Sequence, residues 1–409
     1  MGAGPRSSRV CSSGDPVHSE APIEGMRYTS GGLSGVTDAS GSFRYEQGQP
    51  ITFSLGGIVF GPVDGAATLT SFQLVGKHLC EVSEGLIRLL VLLEALDSDG
   101  NPDSGITLAL PPSSGALRPF DSLTDGDLPG LVQELRPGAT IPDGPMTLER
   151  FIRRVDDEAW ETIGTETWGI FSGVPRSQGA AWDGKRWFFS ARQSMQRADT
   201  AFDVEVQVFG IPKAIEDLGG NHIGDLDVYN GTLYTAIEDG PAYKHPFVAL
   251  FDAETLAFTG RSYMLDPAMH TLGVPWVSVD GPRKRVYTAE WDPTERLNIH
   301  DLEHELKFVG NLPLKMKLGR IQGAKVFHGA LYAAADDERK TVYKINLETG
   351  TVIKLLELGT PGSEMEGIAL SADGTNALMH TLNIVAPNVL FVHHKRVRGP
   401  VRELACPAM

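Results

Sequence analysis

Gln178, Gln322 and Glu366 open three of five related phrases that fill the second half of the chain. The phrases read SQGAAWDGKRWFFSARQ, GDLDVYNGTLYTAIEDG, GVPWVSVDGPRKRVYTAEWD, QGAKVFHGALYAAADDE and EGIALSADGTNALMHTLN. His222 and Asp225 flank the opening of the second, and Trp276 falls early in the third. Arg192, Glu238, Glu290, Asp336 and His380 stand toward the phrase ends. Carboxylates, amides, imidazoles and an indole gathered at one place could hold a hard cation or run acid/base chemistry. In that reading Glu366, Glu238 or Glu290 is the ligand or general base, and His222 or His380 transfers the proton. Gln178, Arg192, Asp225, Trp276, Gln322 and Asp336 line the pocket around them. Each also has a plainer explanation: a solvated loop end for the acids, ordered water for the amides, and core packing for His380 and Trp276.

The elements that must bring these residues together are hairpins. Each phrase has an apolar or alternating run, a turn built on a glycine, and a second run rich in aromatic and aliphatic residues. Successive openings lie about 44 to 49 residues apart, the period of one four-stranded propeller blade. A ring of such blades sets each opening at the mouth of a central channel, and the second strand returns to the same face. The fold class is therefore mainly β, a propeller of five blades with a degenerate sixth as the alternative. Edge closure requires a strand from outside the repeats. The segment ETWGIFSG, Glu166 to Gly173, is placed to supply it, with Trp168 to Phe171 pairing Val389 to His393.

The SQG opening followed by a hairpin resembles the blades of glutaminyl cyclotransferases, and EGIALSADG resembles gluconolactonase and NHL-type propellers. The likeness is confined to single blades, so it implies a five-bladed ring and carries no activity across.

Ahead of the propeller, alternating runs between Gly, Asp and Ser turns predict a small β-sandwich. The wording from Glu24 to Gly76, with Thr37-Asp38-Ala39-Ser40-Gly41-Ser42-Phe43-Arg44-Tyr45 as its strand, resembles the sandwich modules of bacterial adhesins and lipoproteins. A helix capped by Ser83 presents Leu86, Leu89, Leu90, Leu93 and Leu96 on one face. It runs into Asp97, Asp99, Asn101 and Asp103, whose alternating oxygens suit calcium. Pro102 and Leu108 stand where an EF-hand has Gly and Glu, so the match is to a thrombospondin-type D-x-D-G-x-x-D loop or to a helix stop rich in Asp. MTLERFIRRVDDEAWETI predicts a linker helix. The expected domains are a leader over 1–21, the sandwich module with helices and acidic loop over 22–160, the propeller over 166–396 and a tail over 397–409.

Composition narrows the partners. Lys plus Arg number 36 against 52 for Asp plus Glu, a net charge of −16 that opposes binding to nucleic acid. No run is long and apolar enough for a transmembrane helix. Cys11, Cys80 and Cys406 form no disulfide framework, and Cys80 with Cys406 either bridge or stay as thiols. Cys11-Ser-Ser-Gly-Asp looks like the start of a mature lipoprotein, although no signal peptide precedes it. No G-x-S-x-G, P-loop, HExxH or CxxC occurs, which disfavours an ordinary serine hydrolase, nucleotide kinase, zincin or thiol redox enzyme. Two functional expectations stand together. One is an exported bacterial propeller, periplasmic or at the cell surface, that binds a calcium-type cation and acts on a small polar or sugar-like substrate. The other is a non-catalytic binding module with a metal- or water-filled channel.

Overall fold

The computed structural model describes residues 22–65, 69–76, 83–101, 105–110, 117–155, 158–359, 362–373 and 376–398. The leader with Cys11, the pair Cys80 and Cys406, Asp103 and the tail beyond 398 lie outside the described residues. The chain divides into two compact units, Met1–Asp157 and Glu158–Met409. Among the described residues no helix is long and apolar enough to cross a membrane.

Unit 1 contains strands β1 (Ile23–Glu24), β2 (Arg27–Ser30), β3 (Leu33–Val36), β4 (Ile51–Leu55) and β5 (Ile58–Val63). Helices α1 (Ser71–Leu74) and α2 (Glu84–Leu96), strands β6 (Ile106–Thr107) and β7 (Arg118–Pro119), and helices α3 (Leu128–Leu135) and α4 (Gly144–Val155) follow. The expected sandwich is instead one five-stranded sheet, in the order β3-β2-β4-β5-β7, beside a short β1-β6 pair. Helices supply what a second sheet would have supplied. Phe53, Leu55, Ile58 and Phe60 of the sheet share one core with Leu89, Leu92 and Leu93 of α2 and Val132 of α3. Ser83 caps α2 as its position suggests, accepting the Leu86 N–H at 3.1 Å. The Thr37–Tyr45 phrase forms no strand. Asp38 Oδ1 accepts from the Ser40 and Ser42 N–H groups at 3.0 and 2.9 Å, which folds the backbone into a turn.

Unit 2 is a β-propeller of five four-stranded antiparallel sheets among the described residues. Its chain opens with β8 (Ala159–Trp168) and the single helical turn α5 (Ile170–Gly173). The first sheet is β9 (Gly179–Trp182), β10 (Trp187–Ala191), β11 (Ser194–Ala198) and β12 (Val204–Phe209). The second is β13 (His222–Tyr229), β14 (Thr232–Glu238), β15 (Phe247–Asp252) and β16 (Phe258–Met264). The third is β17 (Ser278–Asp280), β18 (Arg285–Thr288), β19 (Thr294–Asp301) and β20 (Phe308–Leu318). The fourth is β21 (Ile321–Phe327), β22 (Ala330–Ala335), β23 (Thr341–Asn346) and β24 (Val352–Glu357). The fifth joins β25 (Glu364–Asp373), β26 (Asn376–Val385) and β27 (Asn388–Arg398) to β8. Hairpin chemistry explains the folding of each opening pair. Asn230 and Gly231, with φ of 48° and 72°, and His328 and Gly329, with 47° and 81°, take the left-handed conformations that a two-residue turn needs.

The ring closes as expected in pairing but not in extent. Trp168 lies opposite Val389 and Gly164 opposite His393. The strand, however, starts at Ala159, within the stretch read as linker helix, and ends at Trp168, so Ile170–Gly173 coils away. Two aromatic anchors and a buried acid set these limits. Trp168 stacks on Phe391 at 5.4 Å under the Arg176 guanidinium at 4.5 Å. At the other end Trp160 meets the edge of Tyr332 at 6.2 Å. The Glu158 carboxylate next to it accepts from Lys344 Nζ at 2.7 Å and the Tyr332 hydroxyl at 3.2 Å.

Candidate functional site

The innermost strands β9, β13, β17, β21 and β25 lie side by side around the axis, with β25 returning to β9. They approach so closely that a methyl on Gly367 would stand 2.7 Å from Gly179 Cα. Side chains at strand beginnings therefore have room only on the face where the strands open. A cavity of about 340 Å³ lies there, lined by Gln178, Arg192, His222, Asp225, Glu238, Gln322 and Glu366. Residues as distant in sequence as Gln178 and Glu366 share it because equivalent positions of successive blades sit at equivalent radii.

A hydrogen-bonded chain crosses three blades on this wall. Gln178 Nε2 donates to Glu366 Oε1 at 3.1 Å and to its neighbour's carbonyl, Ser177 O, also at 3.1 Å. Two acceptors on the amide nitrogen turn Gln178 Oε1 toward His222 Nε2, which donates to it. His222 Nδ1 faces Glu238 Oε1 at 3.0 Å, and Glu238 Oε2 accepts the Val274 N–H at 2.9 Å. Both imidazole nitrogens are thereby engaged. Glu366 is 4% exposed. Burial, with Glu364 and Asp336 adding to it, pushes its carboxyl well above the ordinary carboxylate range, while the Gln178 bond pulls the other way.

An ion pair crosses the axis at the cavity wall. Asp225, with no exposed surface, meets Lys325 Nζ from the opposite side of the ring. Its Oδ1 accepts the Ala180 and Leu226 N–H groups at 3.1 and 2.9 Å. Burial raises the Asp225 carboxyl to about 7 against the pull of Lys325. The crowding of carboxylates at the axis is thus relieved by an internal ammonium, and burial favours the protonated form of Glu366. Among the described residues no group of three or more His, Cys, Asp or Glu is placed to hold a metal ion.

Four expected site residues lie elsewhere. Trp276 has no exposed surface and packs with Tyr287, Leu297 and Leu331 in the core between blades. Asp336 is enclosed by Lys340 Nζ at 2.6 Å, the Met365 N–H at 2.8 Å and Arg320, so its oxygens brace the junction of the fourth and fifth sheets. Glu290 Oε2 accepts the Thr271 hydroxyl at 2.5 Å and the Thr271 N–H at 3.1 Å, tying down the loop that carries Leu272. His380 sits in the middle of β26, which continues to Val385, rather than at its end. Its Nδ1 meets His393 Nδ1 at 2.7 Å, its ring stacks on Phe391, and burial depresses its pKa to about 3.

Trp291, at the end of a second strand, lines the cavity as the repeat pattern suggests, while Tyr243, Leu272, Pro275 and Pro241 line it without having been expected there. Tyr243 arrives on a loop pinned by Asp239, whose oxygens accept the His245 N–H at 2.9 Å and face His245 Nδ1 at 2.8 Å. Lys325, which answers Asp225, lies outside the repeat pattern, and its signal in the sequence is a lone lysine in the apolar run of β21. In unit 1, Asp97 Oδ1 accepts the Thr107 N–H at 2.9 Å and Asp99 Oδ1 the Asn101 N–H at 2.7 Å. These are bonds of a turn that ends a helix, and burial first, then Asp99, raises the Asp97 carboxyl.

No protein-family model matches the chain and no curated protein matches it. Among solved structures, a chain of the "Crystal Structure of Mitotic Checkpoint Complex" is similar over 53% of this chain and 62% of that one, with 11% identity and a TM-score of 0.32. This chain thus matches less than two thirds of that protein's length. The propeller assignment rests on the order and register of the sheets.

Proposed function

We propose that unit 2 binds a small polar or sugar-like molecule in the axial cavity, with Glu366 as its proton donor. The carrying observation is the bond from Gln178 Nε2 to Glu366 Oε1, which fixes a buried carboxyl that burial raises well above the ordinary carboxylate range and leaves its Oε2 without a partner among the described residues. A neutral carboxylic acid can protonate a leaving oxygen or donate to a bound one. His222 supports this group through Gln178, and with both ring nitrogens taken it is a positioning residue rather than the proton carrier. The blade-level likeness to glutaminyl cyclotransferases and to gluconolactonase and NHL-type propellers is part of this proposal, as is an exported, periplasmic or cell-surface setting.

The second reading is binding without turnover. It is favoured by the engagement of His222 at both nitrogens, which leaves no free imidazole beside Glu366 to serve as base. The two are separated by incubating the full chain and its Glu366→Gln variant with a sugar and polyol set, following turnover by NMR and binding by thermal shift. Turnover that the variant loses while still binding supports the enzyme. Binding without turnover in either protein supports the binding module, and no binding to either removes the site. Calcium chloride and chelator arms test the cation reading, which requires saturable stabilisation by calcium that Glu366→Gln weakens.

A further inference from the structure

The cavity wall carries one positive group that the proposed role does not use. Arg192 lies in the turn between β10 and β11 and lines the cavity. Its backbone carbonyl is taken by the Ile223 N–H at 2.9 Å. Its guanidinium has no hydrogen-bond or ion-pair partner among the described residues. Arg192 is an exposed residue, whereas several buried or half-buried arginines are matched: Arg197 by Glu205 at 3.0 Å, Arg283 by Asp280 at 3.0 Å, and Arg176 by Gln196 at 2.9 Å.

The two glutamates on the same wall do not satisfy Arg192. Glu238 is committed to His222 and to the Val274 N–H, and Glu366 to Gln178. Arg192 and Glu238 nevertheless share a neighbour, since the Tyr243 phenol feels both, raised by burial and Glu238 and lowered by Arg192. Gln322 also presents an amide to the cavity with no partner among the described residues.

We infer that the ligand of this cavity is a small monocarboxylate that also carries hydroxyl or amide groups, with Arg192 receiving the carboxylate. This rests on the axial cavity being a ligand site, and it names the ligand's class. A planar guanidinium with free N–H groups matches a carboxylate through two parallel bonds. A single free cation selects one negative charge over two. Glu238 already faces His222 and Asp225 already faces Lys325, so Arg192 is the one cation lining the cavity that faces no anion among the described residues. A dianion such as phosphate would meet a single cation inside a protein of net charge −16. Gln322 and the Glu366 carboxyl then serve the ligand's neutral polar groups.

The test is calorimetric titration of the full chain and of Arg192→Gln and Arg192→Lys. The probes are acetate, lactate, glycerate and gluconate, their neutral counterparts acetamide, propane-1,2-diol, glycerol and sorbitol, and inorganic phosphate. At least one hydroxylated monocarboxylate should bind saturably, and more tightly than its neutral counterpart. Arg192→Gln should weaken it at least about tenfold, as expected for loss of a charge-assisted pair, and Arg192→Lys should weaken it less. The melting temperature of the free protein should stay unchanged in both variants, because the Arg192 guanidinium makes no internal bond among the described residues and both variants keep the backbone carbonyl that Ile223 uses. Neutral probes binding where carboxylates do not would overturn this inference and leave the cavity as a ligand site. So would phosphate binding more tightly than every monocarboxylate, or equal affinity in Arg192→Gln. No binding of any probe would overturn both.

Discussion

Lys325 and Asp225 lie one hundred residues apart in the chain and form an ion pair at the propeller axis, where Asp225 is fully buried and Lys325 is 4% exposed. Asp225 lines the axial cavity, so the pair sets a charge-neutralised part of its wall. Asp227 lies within the same field, and its Oδ2 accepts from the Ser278 hydroxyl at 3.1 Å and the Val279 N–H at 2.8 Å.

Removing one partner leaves the other buried without compensation. Lys325→Met should therefore destabilise unit 2 by about 3 to 5 kcal/mol. Adding Asp225→Asn should restore most of that loss, because Asn keeps an oxygen for the Ala180 and Leu226 N–H groups. Urea unfolding of the two variants against the parent checks this, and a double variant as unstable as Lys325→Met contradicts it.

Glu366 makes stability depend on pH in the direction opposite to an ordinary paired acid. Its folded pKa is raised, so the folded chain keeps a proton that the unfolded chain releases above about 4.5. Stability from this group falls as pH rises from there. Glu366→Gln, which keeps an oxygen for Gln178, should be at least as stable as the parent at pH 7 to 8 and should lose that advantage near pH 4. Melting curves across this range provide the comparison.

Buried histidines act the other way. His380 is depressed to about 3, and His394, His270 and His300 to about 4, all chiefly by burial. The unfolded chain takes up protons below about 6.5 where the folded chain does not, so stability is lost as pH falls through that value toward the folded pKa. His380→Leu should flatten the loss between pH 6.5 and 4 relative to the parent. An unchanged slope in urea unfolding would show that His380 does not titrate on unfolding.

Closure of the ring depends on Trp168. Trp168→Ala removes contacts with Phe391, Phe189 and Arg176 and should cost about 3 to 5 kcal/mol. Deleting 159–168 should do more, exposing the edge of β27 and promoting association. Light scattering of the deletion at rising concentration reads this directly, and a monomeric, cooperatively folding product would contradict it.

The sequence alone determined the repeat, the hairpins, the propeller and the pairing of its closing strand. Glycine turns and alternating runs act over a few residues, and their spacing of about 44 to 49 repeats one local solution. It also brought Gln178, His222, Asp225, Glu238, Gln322 and Glu366 to one cavity, since similar phrases take similar radii. Strand length was not legible: β26 runs five residues past His380, which places that imidazole against Phe391 and out of the cavity. Nor was the covering of the unit 1 sheet, because an apolar strand face packs equally well on a helix or on another sheet. Ring closure alone decided that the ammonium answering Asp225 is Lys325, that both nitrogens of His222 are spent, and that Arg192 is left unpaired. Lys325 for Asp225 and Gln178 for His222 Nε2 come from different blades, across a distance that no local pattern encodes.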